Sequence, residues 1–178
     1  MARSGSRIAF GLIVAGGVLA VDQATKIWAM AFMARHDVGL YPLAPFLDLA
    51  ALWNTGISYG LFPQGEAGRW VLVGVKLVAA LAFTVWLSRS RRALEALALG
   101  LLIGGALGNA VDRVVYGAVF DFISLHAYGL RWYVFNIADV AVVLGVALLL
   151  YDAFFGPASK SPPSASSMAG KPEAEREP

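Results

Sequence analysis

Four long apolar stretches constrain this chain more than any other feature. A membrane-spanning helix needs about 20 mainly apolar residues. Stretches of that kind run from about Ile8 to Met30, from Trp70 to Leu87, from Ala93 to Val111 and from about Trp132 to Tyr151. Composition agrees. Of 178 residues, 58% are apolar and 15% charged, and mean hydropathy is +0.66. A soluble domain averages roughly 45–50% apolar and about 25% charged. The expectation is an all-α membrane protein with four transmembrane helices in one bundle. Arg3 and Arg7 ahead of Ile8–Val21 also fit a cleavable signal peptide. No clear small-x-small cleavage site is present, however, and apolar sequence resumes after Asp22-Gln23, so an uncleaved first helix fits better.

Lys and Arg in short flanks set orientation. Arg3 and Arg7 precede the first span, Arg89, Arg91 and Arg92 cluster between the second and third, and Lys160, Lys171 and Arg176 follow the fourth. The opposite side carries only Arg35, Arg69, Arg113 and Arg131, more widely spaced. Both termini and the 89–92 loop are therefore expected in the cytoplasm, with segments 31–69 and 112–131 outside. Segment 31–69 alternates apolar residues with Gly and Pro, which fits a strand-rich unit resting on the membrane. Residues 156–178 are rich in Pro, Ser, Ala and charge and read as a disordered cytoplasmic tail. A net charge of +2 gives no footprint for nucleic acid, and the absence of cysteine excludes disulfides and a thiolate nucleophile.

A charged side chain inside a span costs about 2.5–3.5 kcal/mol on insertion scales, so those present need partners or a task. Asp22 and Lys26 are four apart on the first span, in the favourable order for a helical ion pair. That pair is structural, or it also holds the rim of an active site. Asn109, Asp112 and Arg113 close the third span on nearly one face. The guanidinium can pair with a carboxylate through two parallel bonds, or hold a substrate carbonyl or a lipid phosphate. Asp121 sits between Phe120 and Phe122, and Asn136 and Asp139 share a face in the first turns of the fourth span. Gly100, Gly104 and Gly108 put a small-residue face on the third span, suited to close helix packing. The inner halves of the second and fourth spans are almost wholly apolar, Lys76 being the main exception.

Asp121 and Asp139 can converge at one depth. Two neighbouring carboxylates do not both ionise readily, so one stays protonated. The ionised member can take a proton from water while the protonated one polarises a scissile carbonyl. This chemistry needs no metal and no cofactor. Two separately paired structural acids, a proton-coupled carrier using the same residues as a relay, and a non-catalytic anchoring protein are the alternatives. The clustering of polar groups near one membrane face argues against a relay. Gly56-Ile57-Ser58-Tyr59-Gly60 matches a nucleophile-elbow pattern, but lacks the strand–helix context that motif needs. His36 and His126 are the only histidines and no zinc-protease motif exists.

Five stretches together resemble bacterial lipoprotein signal peptidase (signal peptidase II), a family of inner-membrane aspartyl proteases. They are Asp22-Gln23-Ala24-Thr25-Lys26, Asn54-Thr55-Gly56, the run from Gly104 to Arg113, Gly117-Ala118-Val119-Phe120-Asp121-Phe122 and Phe135-Asn136-Ile137-Ala138-Asp139. The resemblance covers roughly residues 8–155. It implies four transmembrane helices, an extracytoplasmic β-cradle within 31–69 and a short amphipathic helix, forming a peptidase domain over 1–155. It implies cleavage before the diacylglyceryl-modified cysteine of a prolipoprotein, at a site near the outer leaflet of the bacterial inner membrane. The enzyme is expected to be a monomer that also contacts membrane lipid. By motif position, Asp121 and Asp139 match the catalytic dyad. Asn54, Gly56, Asn109, Arg113 and Asn136 match groups that support the dyad and substrate, with Asp22, Lys26 and Asp112 beside them. Asp112 is expected to pair with Arg113 or with a neighbouring helix. Apolar grooves would take the acyl chains, and Trp53 and Phe62 could clamp the peptide. One departure stands in the second stretch, where Ile57-Ser58-Tyr59 replaces the family's usual Ala and Phe pattern.

Overall fold

A computed structural model describes residues 2–56 and 65–156. Ile57, Ser58 and Phe62 lie outside the described residues, as does the tail beyond 156. Four helices are long and apolar enough to cross a membrane. They are α1 (Ala2–His36), α2 (Glu66–Arg89), α3 (Ala93–Tyr116) and α4 (Ile137–Phe155). Four strands complete the fold: β1 (Leu40–Ala44), β2 (Leu47–Asn54), β3 (Val119–Ala127) and β4 (Leu130–Phe135). No short amphipathic helix is present among the described residues.

Helix α3 is the central pillar, packing against α1, α2 and α4. Its glycines explain how. A Cβ on Gly104 would lie 2.6 Å from the Ala15 carbonyl oxygen of α1, and one on Gly108 would lie 2.5 Å from Asp22 Oδ2. Gly100 abuts Gly11 and Val14 of α1 in the same way. The expected small-residue face thus receives α1. Gly105, one position round, abuts Ala138 and Val142 of α4. Backbones this close gain dispersion contacts that larger residues would block. The outward faces of α1, α2 and α4 are apolar and bare, as at Ile13, Val78, Leu81 and Phe154. Such a surface is far larger than soluble monomers expose, and lipid is the solvent it matches.

The helix ends depart from the hydropathy reading. Helix α1 runs on to His36, six residues past Met30. At 1.5 Å per residue its 35 residues reach about 52 Å, against a hydrocarbon core of about 30 Å. The excess carries Ala29 and Met33 beneath Leu49, Phe120 and Phe122, so the sheet docks on the last turns of α1. Helix α3 continues through Asp112 and Arg113 to Tyr116, where Gly117 at φ 82° forms a left-handed stop. The fourth span does not begin at Trp132. Residues 130–135 form β4, and the helix starts at Ile137. An apolar aromatic strand leading straight into an apolar helix leaves no hydropathy step between them.

The strands form one antiparallel sheet in the order β1-β2-β3-β4. Segment 31–69 supplies β1 and β2, and β3 and β4 come from the connection between α3 and α4. Leu52 pairs with Asp121 and Trp53 with Phe120, and the register shifts between Leu49 and Leu52. A bulge of this kind re-aims side chains. It lies immediately beside Asp121.

Candidate active site

Strand β3 carries Asp121 to the end of the sheet nearest the bundle, and α4 begins beside it. Asn136 is the N-cap of α4: its side chain accepts from Asp139 N at 3.0 Å, and the Asp139 carboxylate accepts from Asn136 N at 3.3 Å. This reciprocal box satisfies backbone donors that a helix start leaves free. It also fixes Asp139 relative to Asn136. The free amide of Asn136 then donates to Asp121 Oδ1 at 2.6 Å. Asn54, at the end of β2, donates to Asp121 Oδ2 at 3.1 Å.

Asn109 of α3 closes the circuit. Its Nδ2 donates to Asp139 Oδ1 at 2.8 Å, while its Oδ1 accepts from Asn136 Nδ2 at 3.2 Å and from Lys26 Nζ at 3.2 Å. The donors around Oδ1 and the carboxylate beside Nδ2 leave one sensible orientation for that amide. Two asparagines therefore link the two carboxylates, which both line one cavity of about 340 Å³ with Asn54, Asn109, Arg113 and Lys76. Burial pushes Asp121 up to about 6, and the neighbouring Asp139 carboxylate adds to this. The bonds from Asn54 and Asn136 and the charge of Lys26 pull the other way.

Beneath the cavity lies a buried ion cluster. Lys26 Nζ is 2.8 Å from Asp22 Oδ2 and 2.8 Å from Asp112 Oδ2. The expected pair on α1 is thus present, and Asp112 pairs with α1 rather than with Arg113. Each acid uses its remaining capacity on a segment that bears a dyad candidate. Asp112 Oδ2 accepts from Phe120 N at 3.2 Å, one residue before Asp121. Asp22 Oδ1 accepts from Ala138 N at 2.9 Å, one residue before Asp139. An anion at the first turn of α4 is also favoured by the helix dipole. Gln23, in the same α1 stretch, donates to Asp112 Oδ1 at 2.8 Å.

Arg113 is buried yet has no ion-pair partner within 4 Å among the described residues. Its Nη2 donates to Gly56 O at 3.4 Å, and its Nε has no partner among the described residues. A buried donor in that state, lining the cavity, is suited to an incoming carbonyl. An apolar groove of about 310 Å³ runs from Asp139 along Val140, Val143 and Leu144 of α4 to Trp132 and Phe135. Trp53 flanks the site, packed against Phe120 and Tyr116.

Spacing did not single out two participants. Gln23 carries no charge, so the cost of burying an ion does not mark it. Lys76 stood out only as the charged interruption of the second span, and the cavity now accounts for it. The polar groups gather at the sheet end of the bundle. Between Asp139 and Asp152, α4 has no charged side chain, and Asp152 is paired with Arg92 at 2.6 Å.

Comparison with known proteins identifies the family of the chain as a whole. The family described as signal peptidase (SPase) II matches residues 7–155. The lipoprotein signal peptidase of Methylorubrum extorquens (strain PA1) is 51% identical over 155 residues, covering 85% of this chain and 89% of that one. That of Methylobacterium sp. (strain 4-46) is 53% identical over 146 residues, covering 80% and 87%. A bacterial membrane enzyme structure solved by the in meso method at 1.9 Å superposes with a TM-score of 0.71 at 26% identity, covering 83% of this chain and 94% of that one. With a family match across four spans and half-identical relatives along most of its length, the chain belongs to the signal peptidase II family of membrane proteases.

Proposed function

We propose that this protein removes signal peptides from prolipoproteins by cleaving before the diacylglyceryl-modified cysteine, with Asp121 and Asp139 as an aspartic dyad. The observation that carries the reading is the circuit through Asn136 and Asn109, which links both carboxylates at one cavity. The two carboxyl groups share one proton, and the protonated member donates it to the scissile carbonyl oxygen. The ionised member takes a proton from the attacking water and passes it to the leaving amine as the tetrahedral intermediate collapses. Arg113 holds a substrate carbonyl, and Asn54, Gly56, Asn109 and Asn136 keep the donors in place. Asp22, Lys26 and Asp112 hold the two dyad-bearing segments in register.

The peptidase unit is residues 1–155, acting as a monomer in the bacterial inner membrane. Both termini are cytoplasmic, which puts the sheet and the site at the outer leaflet. A diacylglyceryl cysteine then enters sideways from the bilayer. Its acyl chains lie along the apolar groove beside Val140 and Val143, and Trp53 borders the peptide. Incubation of the purified protein with a lipidated prolipoprotein tests this. The wild type is expected to release the signal peptide. Asp121→Asn and Asp139→Asn are each expected to lose about 100-fold or more, the scale for removing an acid–base group. Undiminished cleavage by either variant would remove the dyad.

A further inference from the structure

Lys76 is the one charged member of the cavity lining that the mechanism above leaves idle. It lies on α2, in a span otherwise without charge from Trp70 to Ser88, and lines the same cavity as Asp121, Asp139 and Arg113. No carboxylate lies within 4 Å of it among the described residues, so it is not half of a local ion pair. A lysine in a membrane span, half-buried and facing a cavity, calls for a partner at longer range.

The charges that meet at this site come from every element around it. Helix α1 brings Asp22 and Lys26, α2 brings Lys76, α3 brings Asp112 and Arg113, β3 brings Asp121 and α4 brings Asp139. Strand β2 brings only the neutral Asn54. Four acids thus face three bases. Lys26 serves Asp22 and Asp112 and leaves one negative charge uncompensated there. Arg113 offsets that charge or one dyad carboxylate, not both. With one proton on the dyad, the whole set sums to zero only if Lys76 is counted. Charges buried between helices strongly prefer that balance.

We propose that Lys76 is a positioning residue of the dyad, the counter-charge that keeps Asp121 and Asp139 at one shared proton under working conditions. Without it the set carries a net negative charge, which a second proton on the dyad relieves. A doubly protonated dyad has no base and cannot activate water. The inference rests on the dyad reading of the preceding subsection.

The test is kcat/KM against pH for the full chain in lipid or detergent with a lipidated prolipoprotein. Wild type, Lys76→Met and Lys76→Arg are compared. A charge removed from a shared cavity moves an ionisation by roughly 1–2 units. Lys76→Met is expected to shift the acid limb upward by about that much, with activity recovering at higher pH, while Lys76→Arg leaves the limb near the wild-type position. A limb midpoint is independent of the fraction of protein folded. If Lys76→Met does not accumulate, Lys76→Gln carries the same test. An unmoved limb in the neutral variant, or a raised KM alone, would overturn the proposal and leave the dyad intact. A wild type with no acid limb would instead overturn the dyad reading, and this inference with it.

Discussion

Replacing Asp121 by asparagine should make the protein more stable at alkaline pH and less stable in acid. Asp121 is 2% exposed, and burial with the Asp139 carboxylate beside it raises it from 3.8 to about 6. A folded-state value above the unfolded one means that folding holds the proton more tightly. The contribution of Asp121 to stability is therefore fully present below about pH 4 and is lost as pH rises through about 6. A shift of about 2 units corresponds to roughly 3 kcal/mol once the group is fully ionised. Asp121→Asn removes that loss, because an amide does not ionise. It introduces another, because the carboxylate accepts from both Asn136 and Asn54 and an amide offers only one acceptor. One mispaired donor costs about 1 kcal/mol.

The net effect is a gain of about 2 kcal/mol near pH 8 and a deficit of about 1 kcal/mol near pH 4. For a chain of this size those figures correspond to an apparent Tm about 4–8 °C higher and about 2–4 °C lower. Thermal unfolding of both proteins in one detergent, at matched scan rates across that range, reads the difference directly. A Tm difference that keeps the same sign and size at every pH would refute the argument, because a packing defect behaves that way and a titrating group does not.

The buried cluster and the helix contacts make two further predictions. Lys26→Met leaves Asp22 and Asp112 buried with no cation between them. It should cost about 3–5 kcal/mol, read as lost thermal stability, and Asp112→Asn added to it should recover part of that loss. Gly104→Ala drives a methyl against the Ala15 carbonyl at 2.6 Å. It should cost about 1–3 kcal/mol, whereas Gly74→Ala, where a Cβ meets nothing within 4 Å, should leave Tm nearly unchanged.

The four helices were legible because lipid imposes one strong rule on any segment it surrounds. The start of α4 was not, because Leu130–Phe135 is as apolar as the helix it precedes. The cue that separates them was in view: Asn136 followed three residues later by Asp139 is a helix-start pattern. Read that way, the same two residues mark the α4 boundary and half of the site. The dyad candidates stood out by their apolar neighbours, and Asp22 with Lys26 by helical spacing. The link from Lys26 to Asp112 was out of reach, since no periodicity relates two residues so far apart in the chain. The place of Lys76 at the cavity is likewise a product of helix packing. The contribution of β3 and β4 to the sheet was hidden because β3 is buried on both faces from Val119 to Phe122, so its pattern does not alternate.

The ion pair on α1 has a consequence for biogenesis. Helix α1 is made first, yet Lys26 needs Asn109, which leaves the ribosome 83 residues later. At 5–20 residues per second that is a wait of about 4–17 s. During it, neither α3 nor α4 exists to neutralise anything in α1. Asp22 and Lys26, one turn apart, neutralise each other and let the nascent helix enter the bilayer without net charge in its span. When α3 arrives, Asp112 and Asn109 join a contact that already exists. The pair that in the finished fold joins the buried cluster with Asp112 is thus already complete within one helix.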